Sequence, residues 1–205
     1  MNTAALQHAS GIRDSEATSP SPAGTDPCEA RLRLCPFDPL YAPHVAAWVR
    51  TEEELTRLAP GTRWPLTAKK VLAWGRRDSR RFLLARTDLR EPFAYAELNY
   101  MPGCPDQMWI GHFLLEPTYR GRSYSIRFAD ALLATAFLEY TVSDVLLVVF
   151  PDNTPAIRCY QRVGMEIMGT ERKFFKATER EHLFLRMGIS LNRYRSLVAA
   201  RRLSP

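Results

Sequence analysis

Residues 109–133 read WIGHFLLEPTYRGRSYSIRFADALL, an apolar stretch, a short basic loop and an amphipathic stretch in succession. Arg120, Gly121 and Arg122 lie in the loop, and Ser123, Tyr124 and Ser125 follow at the expected start of a helix. The free amides of a helix's first turn, together with its dipole, attract anions, and two neighbouring arginines add to that attraction. A phosphate or pyrophosphate site is one reading; a capped helix with two solvated arginines is the other. Further on, the apolar run 145–150 ends at Asp152 and Asn153, and the next helix carries Ala156, Cys159 and Tyr160. Two neighbouring strand-to-helix turns then open on one sheet edge, where open α/β folds bind ligands.

Other side chains offer proton chemistry. Tyr95, Glu97 and Asn99 alternate onto one strand face, which is polar for a sheet interior. A Glu97 carboxyl shielded by Tyr95 is expected to have a raised pKa and to accept a proton, directly or through water; a surface-facing strand edge is the alternative. His112 is a second candidate, because histidine titrates near neutrality, although a lone strand histidine is also a common structural residue. Tyr160 either offers its hydroxyl or packs its ring. Cys159 adjoins it, but adjacent helix positions diverge and no histidine lies nearby in sequence, so Cys159 reads as core filler.

The elements that must position these groups follow from periodicity. Leu32 and Leu34 alternate with Arg31 and Arg33, a half-buried strand. Helical spacing runs over 42–50, Thr51 and Glu54 form a capping box for 51–58, and Thr67 starts a helix ending near Gly75. Strands over 80–86, 93–100 and 108–115, joined by turns at 91–92 and 102–106, make an antiparallel meander. A helix over 123–140, a strand over 145–150 that is apolar on both faces, a helix from Pro155 to Gly164, and strands over 165–173 and 182–188 complete the order. The fold class is a mixed α/β sheet: N-terminal helices, a meander, then a central right-handed β-α-β crossover.

The chain has 205 residues, 46% of them hydrophobic and 24% charged, which excludes a disordered chain and favours one domain. Run 145–150 is far short of the ~20 apolar residues of a membrane helix, and the N-terminal sequence lacks a secretory pattern. Cys28, Cys35, Cys104 and Cys159 form no CxxC pair, so neither a disulfide scaffold nor a metal site is expected, and the default setting is reducing and cytoplasmic. A net charge of +6 points to an anionic partner: a nucleic acid, a membrane surface or a phosphate-rich cofactor. Residues 1–29 lack aromatics and read as a flexible arm, 30–190 as the domain, and 191–205 as a solvated basic tail bearing Arg193, Arg195, Arg201 and Arg202. With no helix-turn-helix or RNA-binding motif, nucleic acid is not the expected partner.

Taken together, 109–165 resembles the GNAT superfamily of N-acetyltransferases. The family's pyrophosphate loop, Arg/Gln-x-x-Gly-x-Gly/Ala, is matched by Arg120, Gly121, Arg122, Ser123, Tyr124 and Ser125, after Glu116, Pro117 and Tyr119. Its later pattern, Asn-x-x-Ala-x-x-x-Tyr-x-x-x-Gly-Phe, is matched by Asn153, Ala156, Tyr160, Gly164 and Met165. Element order extends the resemblance over residues 30–188. Both loop glycines are serine here, and where some relatives carry a glutamate this chain has Val148.

The resemblance implies a GNAT-like (acyl-CoA N-acyltransferase) fold and acetyl-coenzyme A as cosubstrate, without a metal. It implies direct attack of a primary amine on the thioester, with no acyl-enzyme. Backbone near Phe113, Leu114 and Leu115 would meet the oxyanion and Tyr160 would protonate the leaving thiolate; the resemblance supplies no base, so the amine's proton stays open between Glu97, His112 and water. Asn153 would bond the pantetheine arm or position the Tyr160 helix. The acceptor stays open between a small amine, such as a polyamine or aminoglycoside-like compound, and a protein amine; so does a homodimer. Glu52, Glu53 and Glu54 could draw a cationic acceptor or simply form a solvated helix face. The competing function is a non-catalytic coenzyme A-binding module, which would bind the cofactor without releasing thiol to amines.

Overall fold

A computed structural model describes residues 31–89 and 91–203; the arm expected over 1–29 lies outside them. The elements are β1 (Leu32–Pro36), α1 (Ala42–Ala47), α2 (Glu52–Leu58), α3 (Ala68–Trp74), β2 (Arg80–Arg86), β3 (Pro92–Met101), β4 (Cys104–Leu115), α4 (Tyr124–Leu138), β5 (Asp144–Val149), α5 (Thr154–Arg162), β6 (Glu166–Phe175), β7 (Arg180–Ser190) and α6 (Leu191–Leu203). The strands form one seven-stranded sheet in the order β1-β2-β3-β4-β5-β7-β6. β4 and β5 are parallel, joined by α4, and the other neighbours are antiparallel. This is the expected mixed α/β architecture, with helices first, a meander next and a β-α-β crossover at the centre.

Local chemistry fixes the helix starts. Thr51 Oγ1 accepts from the Glu54 amide at 3.1 Å, while Glu54 reaches back to the Arg50 amide at 2.8 Å. The hydroxyl satisfies an amide that the helix's first turn leaves bare, and the carboxylate secures the residue just before the cap. Thr67 caps α3 in the same way. The meander's second turn is tighter than the expected 102–106: only Pro102 and Gly103 turn, because Cys104 already pairs with Met101.

Two apolar layers cover the sheet. Phe128, Leu132, Leu133 and Ala136 of α4 pack with Val145, Leu147 and Val149 of β5 on one face. Val45, Leu55 and Val71 of the first three helices pack with Leu83, Tyr95 and Leu114 on the other. Among the described residues, no helix is long and apolar enough to cross a membrane.

Where a solvated tail is expected over 191–205, the described residues, up to Leu203, form the docked helix α6. Tyr194 is buried against Phe137, Arg193 Nε donates to the Gly164 carbonyl at 2.8 Å, and Arg201 pairs with Asp130 at 2.8 Å. Its arginine heads stay at the rim while their stems and the tyrosine ring cover apolar surface.

Candidate active site

The site begins where β4 and β5 part. They pair only over Gln107–Trp109 and Asp144–Leu146. Just beyond, the β3–β4 register slips by one residue between Glu97–Gly111 and Tyr95–Leu114, so His112 and Phe113 together oppose Ala96. A bulge of this kind bends its strand, and His112 takes a left-handed φ of 42° to accommodate it. Between the diverging strands lies a cavity of about 360 Å³, walled by Ile110 and residues 112–115 of β4, residues 147–149 of β5, and Tyr160 of α5. Strand backbone facing that cavity has lost its ladder partner, so an extended ligand bearing amides can take the place of a strand.

The basic loop closes one end. After a 3-10 turn over Pro117–Tyr119, the Arg120 guanidinium is consumed internally: Nε donates to the Leu115 carbonyl (3.1 Å), Nη1 to Glu54 Oε1 (2.7 Å) and Nη2 to the Trp48 carbonyl (3.0 Å). Arg120 is therefore a strut that fixes the loop to β4, α1 and α2, and the reading of two free arginines holds for exposed Arg122 alone. Gly121 and Ser123 both have left-handed backbones (φ 74° and 60°), and nothing stands within 4 Å of where a Cβ on Gly121 would lie. The serine expected to cap α4 is at its N-cap, but its side chain makes no capping bond, leaving the first amides of α4 without a side-chain acceptor. Tyr124 is not on the loop surface: it is buried against Phe93 and Tyr119, a core anchor for the helix start.

Helix α5 supplies the facing wall. Asn153 Oδ1 accepts from the Ala156 amide at 3.4 Å, so of its two expected roles the structure displays helix positioning. Tyr160 lines the cavity edge-on to Phe113 (5.8 Å), and its hydroxyl has no hydrogen-bond partner among the described residues. Burial pushes its ionisation well above the usual phenol range, with nearby Cys159 adding to the effect. Cys159 is itself buried and its thiol is pushed up by desolvation, which fits a packing residue and not a nucleophile.

Phe113, Leu114, Leu115, Arg120, Gly121, Ser125, Asn153, Ala156 and Tyr160 thus border one cavity, whereas Arg122, Ser123 and Tyr124 do not line it. Glu97 also lies off the wall, only 2% exposed, behind His112. It is neither a surface edge nor a carboxyl with a raised pKa. Burial would push it up, but His112, the Tyr95 hydroxyl (2.6 Å) and the Asn99 amide (3.4 Å) outweigh burial and hold it below the usual range. His112 Nδ1 is 3.1 Å from Glu97 Oε2, a hydrogen-bond length without the alignment of one. The imidazole stacks on Trp74 at 4.2 Å and 12°. The Trp74 contact and the clasp from Arg57 of α2 to Asp152 (2.9 Å) escaped sequence reasoning, since both join residues far apart in the chain. Gly111, beside His112 inside a strand, was the available signal for the bulge.

Among the described residues, no cluster of three or more His, Cys, Asp or Glu is placed to hold a metal. The family model for the acetyltransferase (GNAT) domain matches residues 31–166. Solved structures agree in fold. The spermidine N-acetyltransferase of Vibrio cholerae, in complex with CoA and spermine, aligns with a TM-score of 0.66 at 14% identity, covering 80% of this chain and 97% of that one. RimJ of Mycobacterium smegmatis, in complex with CoA-disulfide, gives 0.66 at 17% identity over 83% and 90%. The ribosomal-protein-S5-alanine acetyltransferase of Vibrio fischeri gives 0.64 at 11% identity over 80% and 94%. With two thirds of its length matched by the family model and the parted strands at its centre, the chain belongs to the GNAT acetyltransferase family.

Proposed function

We propose that the protein transfers an acetyl group from acetyl-coenzyme A to a primary amine by direct attack. The observation that carries the reading is the cavity between parted parallel strands, walled on one side by His112 and on the other by Tyr160. The residues fit the cofactor in three respects. Unpaired β4 backbone suits the amides of a pantetheine arm, the left-handed Gly121 and Ser123 leave open space for a diphosphate, and exposed Arg122 adds positive charge there. Arg120 contributes by holding that loop in place.

Acetyl-coenzyme A, when bound, supplies an acetyl group activated as a thioester. The chain's own groups do the rest. Backbone amides near Phe113, Leu114 and Leu115 would stabilise the negative charge that gathers on the thioester's carbonyl oxygen. The Tyr160 hydroxyl, neutral and without a protein partner, donates a proton toward the departing sulfur. The burial that disfavours a phenolate would disfavour a bare thiolate beside it as well. His112, with Glu97 3.1 Å from its Nδ1, would take the proton an amine must lose.

The closing of the site by Arg57–Asp152 and Arg120–Glu54 leaves those two acids paired; Glu53 also pairs with Arg57 at 3.2 Å, and Glu52 stays exposed on α2. The decisive test combines binding and turnover. Acetyl-coenzyme A at saturating concentration should raise Tm, since a ligand at 100 times its Kd stabilises by about 2.7 kcal/mol. A panel of spermidine, an aminoglycoside and an alanine-initiated peptide should then release thiol. No Tm shift at millimolar ligand refutes the cofactor assignment; a shift without amine-dependent thiol would identify the non-catalytic module.

A further inference from the structure

We infer that His112 and Glu97 act as one proton-accepting unit, in which His112 Nε2 takes the acceptor's proton and Glu97 is a positioning residue that fixes the imidazole's tautomer. The inference rests on the acetyl-transfer reading and assigns a division of labour within it.

Three observations carry it. The first is confinement. His112 sits at the bulge with a left-handed backbone, stacked on Trp74, whose own indole N–H donates to Thr62 Oγ1 at 2.9 Å. Backbone strain that the surroundings hold in place is a mark of functional positions. The second is the edge of the ring. Nδ1 is sealed from solvent, and the carboxylate within ion-pair distance of it is Glu97. In a neutral imidazole one nitrogen carries the proton and the other accepts, and a neighbouring carboxylate draws the proton to its own side. With the proton held on Nδ1, the nitrogen 3.1 Å from Glu97, Nε2 is left with the lone pair, on a side chain that lines the cavity shared with Tyr160.

The third observation is that Glu97 is itself built in. Tyr95 donates to its Oε1 at 2.6 Å and accepts from Arg81 Nε at 2.8 Å; Asn99 donates to its Oε2 and accepts from Ser79 Oγ. Gly111 supplies the space: a Cβ there would lie 3.1 Å from Asn99 Nδ2 and 3.5 Å from Glu97 Oε2. A carboxylate so enclosed cannot reach an amine in the cavity. It can steady an imidazolium, since a charged pair buried with its remaining hydrogen bonds satisfied is stable where a lone charge is not. Proton balance is then complete. The acceptor ammonium gives one proton to Nε2, and its freed lone pair makes the C–N bond as the C–S bond breaks. The electron pair leaves on sulfur, which takes the Tyr160 proton. The second amine proton returns to Tyr160 through solvent, and His112 discharges to solvent.

The tautomer can be read on the free, full-length protein by long-range proton–nitrogen correlation of its four histidines, with His112→Gln giving the assignment. We expect the Nδ1–H form at His112 in alkaline buffer, mixed tautomers in Glu97→Gln, and the Nδ1–H form restored in Glu97→Asp. With an amine from the panel, His112→Gln should lower kcat by about 10²- to 10⁴-fold, with KM for acetyl-coenzyme A and Tm little changed. Glu97→Gln should lower kcat by roughly tenfold or more through the lost tautomer, with partial rescue in Glu97→Asp. An Nε2–H form in the wild type overturns the inference, as does a His112→Gln rate within about twofold of wild type. An inert wild type strikes instead at the acetyl-transfer reading, and the tautomer measurement, which needs neither acetyl-coenzyme A nor amine, tells the two failures apart.

Discussion

Tyr160 is a phenol that burial keeps protonated and that no described residue engages, so its hydroxyl is free to serve whatever occupies the cavity. Removing that oxygen leaves the ring, its edge contact with Phe113 and the helix intact. Tyr160→Phe should therefore lower kcat by about 10²-fold or more while acetyl-coenzyme A raises Tm as in the wild type. An unchanged kcat would remove Tyr160 as the acid, and a lost Tm shift would make it a binding residue. At this scale the sequence was a good guide to which residues meet and a poor one to their state. Arg120 stood out in the basic loop, Tyr160, Asn153 and Ala156 through the family pattern they match, and all four do border one cavity. The Glu97 ionisation was read with the wrong sign, because burial is visible in an apolar pattern while the His112 and Asn99 partners depend on a bulge and a cross-strand register.

Among the elements, α2 does more than cover the sheet. Glu54 joins its N-terminus to Arg120, and Arg57 joins its other end to Asp152, so one short helix braces both turns that border the cavity. Both pairs are partly exposed and screened, each contributing under about 1 kcal/mol to folding, so their effect belongs to loop order and not to global stability. Burial raises the Glu54 carboxyl, but the Arg50 amide and the Arg120 guanidinium prevail and hold it below the usual carboxylate range. A lowered carboxyl stabilises the native state above its unfolded pKa and loses that contribution as pH falls through the folded one. Glu54→Gln should hence weaken acetyl-coenzyme A binding several-fold at pH 7 with Tm nearly unchanged, a loss of the size a partly exposed charged contact contributes. The difference from wild type should shrink in acid, as pH falls through the lowered Glu54 pKa. Equal affinity at pH 7, measured by calorimetry, would show that the strut is idle. The capping box that starts α2 was plain in Thr51 and Glu54, but the bridge to Arg120 spans 66 residues and has no local signature.

Over the whole molecule, the positive charge is less free than its total of +6 suggests. Arg193 and Arg201 of α6 are tied to Glu166 and Asp130, and Arg120 and Arg57 are spent inside the site. The basic C-terminal segment therefore acts as a packed layer of the domain. Leu191, Tyr194, Leu197 and Val198 recur at helical spacing and meet the core, a stripe present in the sequence but overshadowed by the arginines between its members. The two readings differ in what they demand of stability. A solvated tail could be removed, or its tyrosine truncated, without cost. A docked helix cannot: Tyr194→Ala leaves a cavity against Phe137 and should cost about 3 kcal/mol, or about 6–12 °C in Tm for a chain of this size. The same substitution lies away from the cavity between β4 and β5, so acetyl transfer per folded molecule should hold at low temperature while the melting point falls. A Tyr194→Ala protein that melts with the wild type would mean that α6 rests on the domain without supporting it.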